Sequence, residues 1–187
     1  MTTDDAMTND TVAALEILTN EFFLAVSFAD GARPNYDRLH GLFIVDGKLI
    51  KNSSESPEIT TVDQFIAPRQ AMVESGALTA FREWETANIT EVFGNVAHRF
   101  STYEKRGVMD GVQFEGKGVI STQFVRTPSG WKMSSMAWDD ERPGLSIPDR
   151  YLRPTRPVRQ ADVPHQAATT ESADPPAASE LEGRSAG

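Results

Sequence analysis

The sequence predicts one α+β domain in which three N-terminal helices pack on an antiparallel sheet, and three observations carry that expectation. Apolar residues between Val12 and Ala29 recur at three- and four-residue steps, the spacing of one helix face. Between Leu78 and Asp139 the pattern changes to four long β-type runs separated by short turn segments. After Tyr151 no aromatic residue occurs, so the core has to be built from what precedes it.

Taken in order, residues 1–8 read as a flexible leader. Val12, Leu15, Leu18, Phe22, Val26 and Ala29 then line one side of a first helix, with Asn9 or Asp10 suited to its N-cap and Asp30-Gly31 and Pro34 to its end. A shorter helix is predicted from Asn35 to about Leu42, placing Tyr36, Leu39 and Phe43 on one side. In the run 43–50, Asp46-Gly47 stands between apolar pairs, which predicts a small hairpin. Ser53 to Pro57 is a polar loop. Thr61 and Gln64 form a capping box that opens a third helix. Pro68 predicts a kink or a restart of that helix, and Gly76 is suited to stopping it.

The β-type runs cover about 80–93, 95–106, 112–126 and 131–139. Gly94-Asn95, Gly107 to Gly111 and Thr127 to Gly130 separate them, each with turn chemistry and each short enough to join neighbouring antiparallel strands. A four-strand meander plus a small hairpin, with helices on one face, makes an α+β domain.

Composition narrows the function classes. Only 39% of the chain is apolar, and the shortfall is local: residues 153–187 are mostly Pro, Ala, Ser, Thr and Glu, which predicts a disordered tail. The formal net charge is −9, and from Pro154 onward three arginines face five acids, so most of the negative charge belongs to the body. An acidic body argues against nucleic-acid and anionic-membrane partners, which need a Lys/Arg surface to replace counterions. With no cysteine, disulfides, thiol catalysis and Cys-ligated metals are excluded. No stretch approaches the roughly 20 apolar residues of a membrane span. The start, Met-Thr-Thr-Asp-Asp-Ala-Met, lacks the basic and apolar regions of a signal peptide, so a soluble cytoplasmic protein is expected.

The order of elements, together with Phe65-Ile66-Ala67-Pro68-Arg69, Phe81-Arg82-Glu83-Trp84-Glu85, Gly94-Asn95-Val96-Ala97-His98, Ser101-Thr102-Tyr103-Glu104 and Trp138-Asp139-Asp140-Glu141-Arg142-Pro143, resembles bacterial NTF2-like proteins of the SnoaL-like, DUF4440 kind. The resemblance covers residues 9–152. It implies a curved sheet wrapped as a cone around the helices, with a pocket inside. It implies no single activity, because that superfamily holds isomerases, dehydratases, cyclases and non-catalytic binding modules.

In such a cone, alternation decides which strand residues face the pocket. The resemblance turns Trp131, Met133, Ser135, Ala137 and Asp139 inward on the last strand. A simple turn at Thr127–Gly130 would set Met133 opposite Phe124, Ser135 opposite Thr122 and Ala137 opposite Ile120. On the second meander strand it turns Ala97, Arg99, Ser101 and Tyr103 inward, although the apolar pattern is nearly symmetric and a one-residue bulge would reverse the faces. Asp139, at the rim of an apolar cone, is then a candidate general base, and His40 on the short helix its acid–base partner. The competing role for Asp139 is a strand-end carboxylate paired with Arg142, and for His40 a surface hydrogen bond. Tyr103, Tyr36, Ser101, Arg69, Thr122 and Ser135 are candidate ligand-binding residues. Arg69 is equally suited to an internal ion pair with Glu83 or Glu85. The Glu83-Trp84-Glu85 spacing puts both acids on one strand face, a weak signal of a carboxylate pair. The three histidines have no metal-ligand spacing, and no glycine-rich phosphate motif or nucleophile elbow occurs, so neither metal nor cofactor is expected.

These readings converge on two functions. One is a binder of a small apolar or cyclic molecule with cofactor-independent isomerase or dehydratase activity. The other is a non-catalytic module that homodimerises through the convex sheet face, burying residues such as Met136 and Trp138.

Overall fold

The structure, a computed structural model, describes residues 3–153. The tail expected over 153–187 lies outside the described residues except for Arg153. Three helices, α1 (Thr3–Val26), α2 (Arg38–Leu42) and α3 (Val62–Glu74), accompany six strands, β1 (Phe43–Lys51), β2 (Glu58–Thr60), β3 (Leu78–Phe93), β4 (Val96–Met109), β5 (Val112–Thr127) and β6 (Gly130–Asp140). A 3-10 turn at Asp149–Tyr151 follows. The strands form one sheet in the order β2-β1-β6-β5-β4-β3, antiparallel except where β1 runs parallel to β6.

α1 begins inside the stretch expected to be a leader, because the apolar periodicity that defines it to the eye starts only at Val12. It buries Leu15, Phe22, Phe23 and Val26. Past its end the chain pairs with the sheet: Phe28 and Phe81 exchange backbone hydrogen bonds at 2.7 and 3.0 Å, which covers part of the edge strand β3.

The capping box is present, with Thr61 Oγ1 accepting from the Gln64 amide at 3.3 Å and Gln64 Oε1 from the Thr61 amide at 2.9 Å. α3 neither breaks nor restarts at Pro68. It runs on to Glu74, and in the interrupted turn Arg69 Nη1 donates to the Phe65 carbonyl at 2.9 Å, supplementing the ladder that a proline weakens. Gly76, with φ 77°, takes the left-handed conformation that ends it.

The small hairpin at 43–50 is corrected by the structure. That run is one strand, β1, which hydrogen-bonds β6 on one side and β2 on the other, and the polar loop at 53–57 is the connection of the β1–β2 pair. Asp46 has φ 63°, and the β1–β6 register jumps between Phe43 and Lys48, so Asp46-Gly47 makes an irregularity within the strand and not a reversal.

The meander strands match their expected runs closely. Asp110 and Gly111, at φ 50° and 76°, have the two left-handed positions of a type I′ turn, so the β4–β5 connection is shorter than Gly107–Gly111. Gly107 lies in β4 opposite Phe114, where a Cβ would stand 2.6 Å from the Ala80 carbonyl oxygen and 2.7 Å from the Phe114 ring. The core lies between the helices and the inner sheet face, around Phe22, Phe43, Phe65, Phe124, Met133 and Met136.

Candidate functional site

One irregularity decides which residues face the helices. Phe124 pairs with Met133 but Gln123 pairs with Ser135, leaving Ser134 as an extra residue in β6. Alternation reverses there, so Met136, Trp138 and Asp140 face inward together with Met133, while Ser135, Ala137 and Asp139 take the opposite face. The expected pairings of Ser135 with Thr122 and Ala137 with Ile120 are therefore replaced by Ser135 with Gln123 and Ala137 with Ser121. On β4 the inward set is Ala97, Arg99, Ser101 and Tyr103, all buried.

The inner face holds two polar regions. In one, Arg99 (2% exposed) grips Glu85 with Nε–Oε1 at 2.9 Å and Nη2–Oε2 at 2.5 Å, and donates to Thr90 Oγ1 at 2.9 Å. Asn88 adds a bond to Glu85 Oε2 at 3.1 Å. Ser101 Oγ and Thr122 Oγ1 are buried here and make no hydrogen bond to a described residue.

The other region borders a cavity of about 380 Å³ between α1, α3 and the sheet, with Phe22, Phe65, Phe81, Ile120, Met136 and Trp138 among its walls. Tyr36, Arg69, Glu83, Lys105 and Asp140 present polar groups to it. The Tyr103 hydroxyl donates to Asp140 Oδ1, and Lys105 Nζ reaches the same oxygen at 2.7 Å. Gly118 makes room for this cluster, since a Cβ there would lie 2.7 Å from the Tyr103 hydroxyl and 2.3 Å from the Asp139 carbonyl oxygen. Burial, reinforced by the bond to Asp140, pushes the Tyr103 phenol well above its usual range, so it stays a neutral donor.

Glu83 differs from Glu85 and Asp140, the other acids on the inner sheet face. Its backbone is fixed to Ser27, whose Oγ accepts from the Glu83 amide at 3.0 Å, but its carboxyl makes no hydrogen bond to a described residue. Burial pushes that carboxyl up to about 7, against the opposing pull of Lys105 and Arg69. Arg69 lies 3.5 Å over the Phe65 ring, and burial lowers its pKa while Tyr36, Glu58 and Glu83 hold it up. Burial also raises the Tyr36 phenol, opposed by Arg69.

Of the candidates named from sequence, Arg69 and Tyr36 line the cavity, and Tyr103 touches it through Asp140. Ser101 and Thr122 face inward but not onto it, and Ser135 lies on the other face. Asp139 sits 2.5 Å from Arg142 Nη1, away from the cavity, as its competing role describes. His40 is exposed in a surface depression, with Nε2 2.8 Å from Asp63 Oδ1 and Nδ1 3.2 Å from the Asp37 carbonyl; the Asp63 bond raises its pKa. Met136 and Trp138 belong to the inner face, so they do not supply a convex dimer surface. Sequence reasoning missed Glu83, Lys105 and Asp140 as cavity residues. The two-residue spacing of Glu83 and Glu85 was the available signal, whereas Asp140 was hidden by the extra residue in β6.

A wider open groove wraps the edge of β3 past Leu24, Arg82, Trp84 and Arg106, and Glu83 borders it as well as the smaller cavity. No group of three or more metal-ligating side chains occurs among the described residues, and no described helix is long and apolar enough to cross a membrane.

Neither a family model nor a curated protein matches the sequence. Solved structures do. An NTF2-like superfamily protein from Salmonella enterica superposes with a TM-score of 0.60 at 16% identity, covering 72% of this chain and 94% of the other. A hexachlorocyclohexane dehydrochlorinase, LinA-type3 from Novosphingobium barchaimii, gives 0.61 at 13% identity, covering 74% and 91%. An NTF2-like protein with a cystatin-like fold from Novosphingobium aromaticivorans gives 0.56 at 14% identity, covering 73% and 86%. At these identities the likeness establishes architecture, and the chain has the NTF2-like, cystatin-like fold.

Proposed function

We propose that the chain is a small-molecule enzyme that moves a proton within the cavity, an isomerase or dehydratase-type lyase whose base is Glu83. The observation that carries this reading is the position of that carboxyl: on an apolar wall, beside Lys105, with no hydrogen bond from a described residue. A base with a pKa near ambient pH is deprotonated often enough to act and basic enough to remove an activated C–H proton. The Tyr36 phenol, whose pKa burial raises, can donate to the oxygen on which charge develops. Lys105, held by Asp140, stands opposite Glu83 beside the reacting carboxyl. None of these steps requires a group beyond the side chains. Among structures of this fold is a dehydrochlorinase, so the architecture suits lyase chemistry on a small cyclic molecule.

Native mass spectrometry of gently purified protein identifies a retained small molecule. Incubated with that molecule in D₂O, the wild type is expected to introduce deuterium at one carbon, and Glu83→Gln to slow this by at least roughly a hundredfold. Undiminished exchange by Glu83→Gln would overturn the assignment. The rate is also expected to rise with pH through about 7 as Glu83 ionises.

A further inference from the structure

We infer that the molecule held in this cavity carries a carboxylate, and that Arg69 receives it. The inference rests on the reading of the cavity as a small-molecule site and adds the substrate class.

Three observations support it. First, Arg69 lines the cavity without an ion pair: no described carboxylate lies within 4.0 Å of it, and apart from Glu83 the nearby acids are engaged or exposed. Glu85 belongs to Arg99, Asp140 is held by Lys105 and Tyr103, and Glu58 is exposed at the mouth. Second, the guanidinium is pre-oriented. It is stacked 3.5 Å over Phe65 and anchored by one bond, Nη1 to the Phe65 carbonyl at 2.9 Å, so its other N–H donors keep a fixed direction. A planar fork in a fixed plane matches a carboxylate bidentately, and little side-chain entropy remains to be lost on binding. Third, the charges around the cavity leave a cation over. Lys51, Arg69 and Lys105 face Glu58, Glu83 and Asp140 around it, and with Glu83 protonated the cations outnumber the acids by one, so a counter-charge is missing. An anionic group from the ligand supplies it, and the apolar walls would hold the rest of a molecule of one ring.

This arrangement links binding to Glu83. A carboxylate on Arg69 competes with an ionised Glu83 for the same positive field, so affinity for the acid should fall as pH rises from about 6 to 8.

The test uses two matched probe pairs, trans-cinnamate with trans-cinnamamide and cyclohex-1-enecarboxylate with its amide, titrated calorimetrically into the full chain. Near pH 6 each acid is expected to bind at least roughly tenfold more tightly than its amide. Arg69→Gln should remove that preference, and Arg69→Lys should restore only part of it. Glu83→Gln should keep the preference and abolish the weakening toward pH 8. Amides that bind as tightly as the acids to the wild type would overturn the carboxylate inference while leaving the cavity a small-molecule site. Failure of all four probes to bind would overturn both. The wild-type comparison needs no variant, so misfolding of an Arg69 substitution does not blunt it.

Discussion

Glu83 and Glu85 lie two residues apart on one face of β3, yet they are handled in opposite ways. Glu85 receives a bidentate arginine and an asparagine amide. Glu83 receives no hydrogen bond from a described residue and is pushed up to about 7. Both are enclosed by the same sheet and helices, so enclosure alone does not set a carboxyl's state. The nearest cation on β4 does: Arg99, opposite Thr90, reaches back to Glu85 as a fork, whereas Lys105, opposite Glu83, is drawn to Asp140. One region spends its charges on structure, and the other leaves a carboxyl poised.

The largest expected effect breaks the structural half of this contrast. Arg99→Met leaves Glu85 buried without its partner and should lower the unfolding free energy by about 3–5 kcal/mol in urea melts near neutral pH. A loss below about 1 kcal/mol would mean that Glu85 finds other partners and that the two acids differ less than their geometry indicates.

Glu83→Gln should act in the other direction. A carboxyl whose folded pKa is raised binds more protons in the native state than in the unfolded one, so its ionisation destabilises the fold. That destabilisation is absent below the unfolded value of 4.5, grows as pH rises from there, and is complete above about 7. Glu83→Gln should therefore be near neutral at about pH 4.5 and stabilising by about 2 kcal/mol at about pH 8, a value discounted for the solvent that still reaches the group. Stability that does not depend on this substitution across that window would remove the poised carboxyl.

Gly118→Ala probes the neighbour of both regions. The added methyl meets the Tyr103 hydroxyl and a β6 carbonyl, so a loss of about 1–3 kcal/mol is expected, with a change in the Tyr103–Asp140 contact visible in the tyrosine NMR signals. The smallest effect belongs to Asp139→Asn. Its partner Arg142 is half-exposed, and such pairs contribute about 0–1 kcal/mol, so melting should hardly move and cavity binding not at all.

How much of this was legible beforehand follows from what each signal depends on. The meander was readable because strand runs and Asp-Gly turns are local, as Asp110-Gly111 shows. The capping box at Thr61 and Gln64 was readable for the same reason. The region 43–60 was not, because whether Asp46-Gly47 reverses the chain or bulges it depends on β6, nearly ninety residues away. The site suffered from one residue. Ser134 has no register partner in β5, and that shift exchanges Asp139 for Asp140, and Ser135 for Met136, on the inner face. Arg69 and Tyr36 were found because they come from α3 and from the turn before α2, beyond the reach of that parity error. Glu83 was in view only as half of a spacing, since nothing local says that Arg99 takes Glu85 and leaves its neighbour.

The most direct test of the contrast is a carboxyl-detected NMR titration with both glutamates assigned through Glu83→Gln and Glu85→Gln. Glu83 is expected to titrate near 7. A midpoint for Glu83 near 4.5, the ordinary glutamate value, would show that the cavity does not hold a poised carboxyl and would contradict the proposed base.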